Sequence, residues 1–312
     1  GEYPSIALVD EVEAGNIKAL IVHGGNPLIA LPDPERLSGA LSNLEVLVVI
    51  DVIETDLTAL ATHVLPAADL LEHADLSARD RAVYAPSVVP PVGERRPGWW
   101  IMARLGRSLG VDVFDGRIDI DTATDDQVLA ELAQHLTVGF DELRAAGVAG
   151  FRRERRDGWV RKQLLPEGRW RVAPQVLVDR LADLETPSHT GLRLVSRRVA
   201  RNVNSVVYGS GERTGDVIPQ VLVHPADAAD RGVGNGDLVD VTSEAGTLEA
   251  LVLVDDRSRR GVVSLTHGRA AANVARLFPS AVDPDPLTGQ PIMTSIPVDL
   301  VVSDAPVVEV RP

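Results

Sequence analysis

The chain has 312 residues, 45% hydrophobic and 24% charged, a composition that builds packed cores across about two domains. Its formal net charge of −14 argues against a nucleic-acid partner, whose phosphates need a basic face, but not against an anionic small ligand held by local donors. With no cysteine, the chain itself offers no disulfide, thiolate zinc site, Cys-ligated iron–sulfur cluster or thiol nucleophile.

In chain order, Ile6 to Glu13 reads as a short helix within an acidic amphipathic segment. Ala19 to Val22 is an apolar run stopped by His23-Gly24-Gly25-Asn26-Pro27, the pattern of a buried strand followed by a loop with room for close backbone approach. "PERLSGAL" predicts a helix and "LEVLVVID" a second, β-branched buried strand. "TDLTALA" is a short helix with Thr55 as N-cap, and "THVLPAA" a third strand stopped by Pro66. This alternation implies a parallel sheet covered on both faces. "WWIMARLGRSLG" predicts a helix with Ile101, Leu105 and Leu109 in register, closed by Gly110.

Beyond it, "TDDQVLAELAQHL" is a capped amphipathic helix, and "APQVLVDRLADL" another with Pro174 near its first turn. The basic run "FRRERRDGWVRKQLLPEGRW" between them reads as a solvated connector, and "ETPSHTG" as a linker. From Leu192 the pattern turns to short strands: "LRLVSRR", "QVLVHP", "DLVDVTS", "TLEALVLV" and "GVVSLTHG". A hairpin is expected about Glu244-Ala245-Gly246, and a short helix in "HPADAADRGVGNGD" with Pro225 at its first position. Strands at this spacing predict a small barrel, so the pattern as a whole is an α/β domain followed by a β-barrel. No apolar stretch reaches transmembrane length and the start has no signal-peptide pattern, so no membrane insertion and a cytoplasmic location are expected. Without a starting Met, the chain is expected to be either a short protein or a piece of a longer one.

Candidate ligand groups are few. Asp51 ends the "LVVI" strand, at the edge where open α/β sheets bind ligands; a turn or N-cap role is the alternative for an isolated Asp. The "HGGNP" loop, with Gly25 and Asn26, follows the neighbouring strand. "SRRVARNVNS" gathers Ser196, Arg197, Arg198, Asn202, Asn204 and Ser205 directly after a strand. Guanidinium forks and amides suit a pyrophosphate or a purine edge; an exposed basic edge that blunts aggregation accounts for them equally well. His63, Asp69, Glu72, His73 and Asp75 match no standard metal spacing. "GSGERTG" lacks the Lys and the strand–helix context of a phosphate loop.

The blocks in their order resemble the molybdopterin oxidoreductase family, which includes formate dehydrogenases, nitrate reductases and dimethyl sulfoxide reductases. "IKALIVHGGNPLIALPD…VVID…ATHVLPAADLLEH" is similar to that family's cofactor domain, and "VLVHPADAADRGVGNGDLVDVTS…GVVSLTHG" to its molybdopterin-dinucleotide-binding domain. "VDPDPLTGQP" is similar to the family's closing motif. The resemblance implies a partial α/β domain over 1–110, a helical or irregular extension and linker over 111–190, and a double-psi β-barrel of the aspartate-decarboxylase-like type over 191–312.

It further implies that Asn26 and Asp51 contact a guanosine end, that His73 takes a place often held by Lys, and that Ser196, Arg198, Asn202, Asn204 and Ser205 wrap a pterin dinucleotide. The loop around Asn273 would close over a pterin. The implied cofactor is molybdopterin guanine dinucleotide with molybdenum or tungsten. An iron–sulfur cluster would belong to an N-terminal half of the same enzyme, which becomes the expected partner along with possible electron-transfer subunits. The implied activity is formate dehydrogenase- or nitrate reductase-like redox chemistry in the complete protein; this chain alone supplies no catalytic residue. A non-catalytic scaffold that has lost the cofactor is the alternative. His63 and Gly98 stand where the family often has Asp, and Thr294 where it often has Lys.

Overall fold

One β-branched run expected as a buried strand, Val46–Asp51, forms the centre of a three-stranded sheet in the computed structural model. The run Ala19–His23, also expected to be buried and covered on both faces, is instead an edge strand that alternates between exposed and half-buried, with Ile21 exposed. The structure describes residues 3–78, 80–152, 158, 165, 168–170, 172–182, 191–198, 218–268, 272–279, 284–285 and 287–303. Two compact units emerge: Gly1–Leu65 with His189–Pro312, and Pro66–Ser188. They divide the chain at other points than the boundaries expected from sequence.

In the first unit, β1 (Ala19–His23) pairs in parallel with β2 (Val46–Asp51), His23 lying opposite Ile50, and β3 (His63–Pro66) flanks β2 on its other side. β2 is the central strand, and Leu47, Val49 and Ile50 are fully buried, as expected of a continuous apolar run. Four helices accompany the sheet: α1 (Leu8–Glu13), α2 (Pro27–Ala30), α3 (Pro34–Ser42) and α4 (Asp56–Leu60). Val9, Leu28, Leu37, Leu41 and Leu57 pack with Leu47 and Val49 in one cluster. Thr55 caps α4 as expected, in a full capping box with Thr58.

The second unit holds α5 (Gly98–Ser108), α6 (Asp125–Ala133), α7 (Phe140–Ala146) and α8 (Gln175–Ala182). Its strands β4 (Asp75–Ala78), β5 (Arg81–Ala85) and β6 (Phe151–Arg152) pair antiparallel. The expected parallel β/α alternation therefore stops at Pro66. Only two residues separate β4 from β5, and so short a connection can return a strand only antiparallel. Leu109, expected on the buried face of α5, is its C-cap and 77% exposed.

Back in the first unit, six strands close a barrel: β7 (Leu192–Arg197), β8 (Gln220–Val223), β9 (Leu238–Thr242), β10 (Thr247–Val254), β11 (Val262–Thr266) and β12 (Thr294–Val302). β8 pairs in parallel with β10 and β7 with β11, while the remaining pairs are antiparallel, giving the mixed barrel that the double-psi expectation requires. The β9–β10 hairpin closes where expected, Ser243 N donating to Gly246 O at 2.9 Å. A short helix, α9 (Pro225–Asp230), follows β8.

Sequence reasoning missed β12 because Pro297 sits in its middle. A register shift between Thr294 and Ile296, with Ser295 at φ 59°, bulges the strand before the proline. Pro297 then faces outward while Ile296, Val298 and Leu300 fill the core. Among the described residues, no helix is long and apolar enough to cross a membrane.

One buried charge organises the start of the second unit. The Glu72 carboxylate accepts from Asp69 N at 2.8 Å, from Val92 N at 3.1 Å and from Arg95 Nη1 at 3.1 Å, and it is only 6% exposed. The Asp69 amide, helped by Arg95 and Val92, holds its pKa below the ordinary glutamate value. A depressed folded pKa contributes stability above the unfolded value, and that stability is lost as pH falls through the folded one. Thermal denaturation between about pH 7 and pH 3 should therefore show Glu72→Gln flattening the acid limb below about pH 4.3. A mutant curve parallel to the wild type would count against this assignment.

Candidate functional site

Because β1 and β2 run in parallel, the loops that follow them leave the sheet at the same edge. After β1 come Gly24 and Gly25 at φ +63° and +85°, with Gly24 N donating to Ile50 O at 2.9 Å. Both conformations favour glycine, and no heavy atom lies within 4 Å of where a Cβ would stand at either position. The loop's outer side is thus open. After β2 comes Asp51, half-buried, whose Oδ1 accepts from Val52 N at 2.7 Å. The expected shared edge is present, with backbone clearance on one loop and a carboxylate on the other.

Asn26 has a different place from the one expected. It is 5% exposed; its Oδ1 accepts from Leu28 N at 3.0 Å, capping α2, and its Nδ2 donates to Asp56 Oδ1. Asn273 repeats the arrangement from the barrel. Its Oδ1 caps the 3-10 helix Val274–Leu277 by accepting from Ala275 N at 3.1 Å, and its Nδ2 donates to Leu28 O at 2.6 Å. The amide groups expected to face a guanosine and a pterin therefore meet on the two sides of Leu28 instead.

At the barrel, β7 and β11 are parallel with Arg197 opposite Thr266, so Arg198 and His267 emerge at one end. His267 N donates to Arg197 O at 2.9 Å. Ser196 is half-buried and Arg198 exposed. The Arg197 guanidinium, expected at a pyrophosphate, turns back along the barrel: Nη1 donates to Ser264 O and Nη2 to Gln220 O at 3.1 Å. Burial, and then the nearby Arg198 charge, lower the His267 pKa from its ordinary value, so its imidazole is neutral at pH 7.

His73 belongs to the second unit, where its Nδ1–H donates to the Asp69 carbonyl at 2.8 Å. Asn202, Asn204 and Ser205, like the "GSGERTG" stretch, lie outside the described residues. Among the described residues, no three His, Cys, Asp or Glu side chains are grouped to hold a metal ion. Sequence reasoning missed Asp56 and His267. Asp56 is 30 residues from Asn26, and only the parallel register that sets both loops at one edge brings them together. His267 carried a signal in "LTHG", a polar pair and a glycine at a strand end, but nothing that tied it to Arg198.

Two family profiles match the chain: Molybdopterin oxidoreductase over residues 2–108 and Molydopterin dinucleotide binding domain over residues 192–297. The F420-dependent formate dehydrogenase subunit alpha of Methanocaldococcus jannaschii is 26% identical over 88% of this chain and 42% of its own length. The nitrate reductase of Klebsiella oxytoca is 26% identical over 82% of this chain and 32% of its own. The chain thus spans less than half the length of either relative. Among solved structures, acetylene hydratase from Pelobacter acetylenicus superposes with a TM-score of 0.76 at 19% identity, over 95% of this chain and 46% of that one. That likeness bears on the fold.

The barrel end offers a direct check of its electrostatics. Ring titration of His267 followed by NMR should give a pKa below the ordinary histidine value, and Arg198→Ala should raise it only part of the way, because burial is the larger cause. Full recovery to about 6.5 in the variant would show that charge, not burial, dominates.

Proposed function

Because the chain belongs to the molybdopterin oxidoreductase family and its barrel is that family's dinucleotide-binding domain, we propose that it holds the guanosine and pyrophosphate ends of a molybdopterin guanine dinucleotide. The observation that carries the reading is the single sheet edge shared by the open Gly24–Gly25 loop and Asp51. A site that must admit a nucleotide needs such clearance, and both glycines have it. The chain's own groups fit the ligand: a carboxylate for N–H or hydroxyl donors, an exposed guanidinium for phosphate oxygens, and a neutral imidazole beside it.

Each residue's task follows from its chemistry. Asp51 accepts from guanine N–H groups or from a ribose hydroxyl, the usual work of a carboxylate at this edge. Gly24 and Gly25 let the ligand lie against backbone. Arg198 offsets phosphate charge through charge-assisted hydrogen bonds, and Ser196 adds a hydroxyl. His267, kept neutral, can hydrogen-bond without changing the charge of the site. The bound cofactor would supply molybdenum- or tungsten-centred redox chemistry, for which this chain provides orientation.

The reading extends to a formate dehydrogenase- or nitrate reductase-like oxidoreductase, supported by the names of the two relatives. Both are more than twice the chain's matched share, so the metal side of the cofactor, the substrate pocket and any electron-transfer subunit are assigned to protein beyond these 312 residues.

The test is cofactor retention in the holoenzyme that contains this chain. Asp51→Ala and Arg198→Ala should each lower releasable guanine nucleotide by about tenfold under dilution, the scale of one lost hydrogen bond to a charged group. Unchanged nucleotide content in both variants refutes the assignment.

A further inference from the structure

Asn26 and Asn273 use both ends of their amides inside the chain, so their purpose at this edge must be sought in what those bonds fix. Two consecutive glycines at positive φ form a loop with little conformational preference of its own. The helix that follows, α2, is four residues long, too short to be stable by itself. Yet this loop, at the edge it shares with Asp51, has open space beside its backbone. Something else has to hold it.

Two outside groups do. Asp56, at the first position of α4, accepts from Asn26 Nδ2 and thereby orients the side chain that caps α2. α4 is itself anchored by its Thr55–Thr58 capping box and by Leu57, which is fully buried. From the other side, Asn273 donates to Leu28 O. The 3-10 helix that Asn273 caps is rooted in the barrel core through Val274 and Leu277. The N–H and C=O of Leu28 are therefore fixed by two asparagines, one braced from the sheet side and one from the barrel.

We propose that Asp56 and Asn273 are positioning residues: acting through Asn26 and the Leu28 peptide, they preorganise the Gly24–Gly25 loop for the nucleotide end of the ligand and couple that loop to the barrel. The inference rests on the dinucleotide reading above. Neither residue needs to touch the ligand. Each removes freedom that binding would otherwise have to remove, which is how supporting contacts raise affinity. The path is a continuous chain of packed and hydrogen-bonded groups, so a disturbance in the barrel loop reaches the glycines of the sheet edge.

Two variants separate this role from general stability. Asn273→Ser keeps an oxygen able to cap the 3-10 helix but is too short to reach Leu28 O. Asp56→Ala removes the acceptor for Asn26. Thr58→Val serves as a control, since it breaks the α4 capping box and leaves the Asp56–Asn26 bond in place. Amide hydrogen exchange at Leu28, Ile29 and Ala30 and GDP binding by calorimetry are measured on the 312-residue chain. Asn273→Ser and Asp56→Ala should each speed exchange about tenfold and weaken GDP binding about tenfold, with melting temperatures near that of Thr58→Val. Thr58→Val should change neither readout by more than about twofold. Exchange as slow as in the wild type, or GDP affinity unaltered in both variants, overturns the positioning role. A wild-type chain that binds no GDP sinks the dinucleotide reading and this inference with it.

Discussion

The peptide of Leu28 is the point on which the first compact unit turns. Its N–H and C=O are held by Asn26 and Asn273, in a residue that is 5% exposed. A typical intramolecular hydrogen bond adds only about 1 kcal/mol net, but a buried donor or acceptor left without a partner costs about 1–3 kcal/mol. The asymmetry is what matters: once Leu28 is buried between sheet and barrel, both asparagines become necessary. The nearby ion pair of Arg276 with Glu35 crosses the same boundary, yet its side chains are 45% and 60% exposed. Pairs so exposed contribute about 0–1 kcal/mol and weaken in salt, so the amides rather than the charges fix this junction.

Parallel pairing then determines where ligand groups can be. In the sheet, β1 and β2 deliver Gly24 and Asp51 to one edge. In the barrel, β7 and β11 deliver Arg198 and His267 to one end. An antiparallel arrangement would have sent the members of each pair to opposite ends. The two collections differ in character: the sheet edge offers clearance and an acceptor, the barrel end offers a cation and a neutral imidazole. That division suits a ligand with a hydrogen-bonding base at one end and phosphates further along.

Most of the first unit was legible in the sequence because its signals are local. The run "VLVVID" has no alternation to obscure it, Thr55 and Thr58 announce a helix start, and Glu244-Ala245-Gly246 marks a hairpin. β12 was hidden by Pro297, since a proline's missing N–H argues against a strand until a bulge at Ser295 is seen to make room for it. The β4–β5 hairpin was hidden by its brevity, four and five residues with weak alternation. At the site, residue types were legible but their orientation was not. Asn26, Arg197 and Asn273 all carry groups that suit a nucleotide, and all three direct them to backbone or side-chain partners within the chain. Which way an amide points depends on partners tens or hundreds of residues away, such as Leu28 for Asn273, and no local pattern encodes that.

The acidic balance of the chain poses the remaining physical question, because a net charge of −14 opposes the approach of any phosphate. Screening settles much of it. At physiological ionic strength the Debye length is about 8 Å, so carboxylates beyond that distance act weakly while a guanidinium in contact acts strongly. Arg198 is exposed at the barrel end, and among the described residues it has none of the carbonyl bonds that draw Arg197 inward. Its charge also helps keep His267 neutral, so the imidazole adds no positive charge to that of the two arginines. A further positive charge would strengthen attraction to phosphate but would have to be desolvated in a half-buried site. A neutral imidazole beside arginine keeps hydrogen-bonding capacity without that cost.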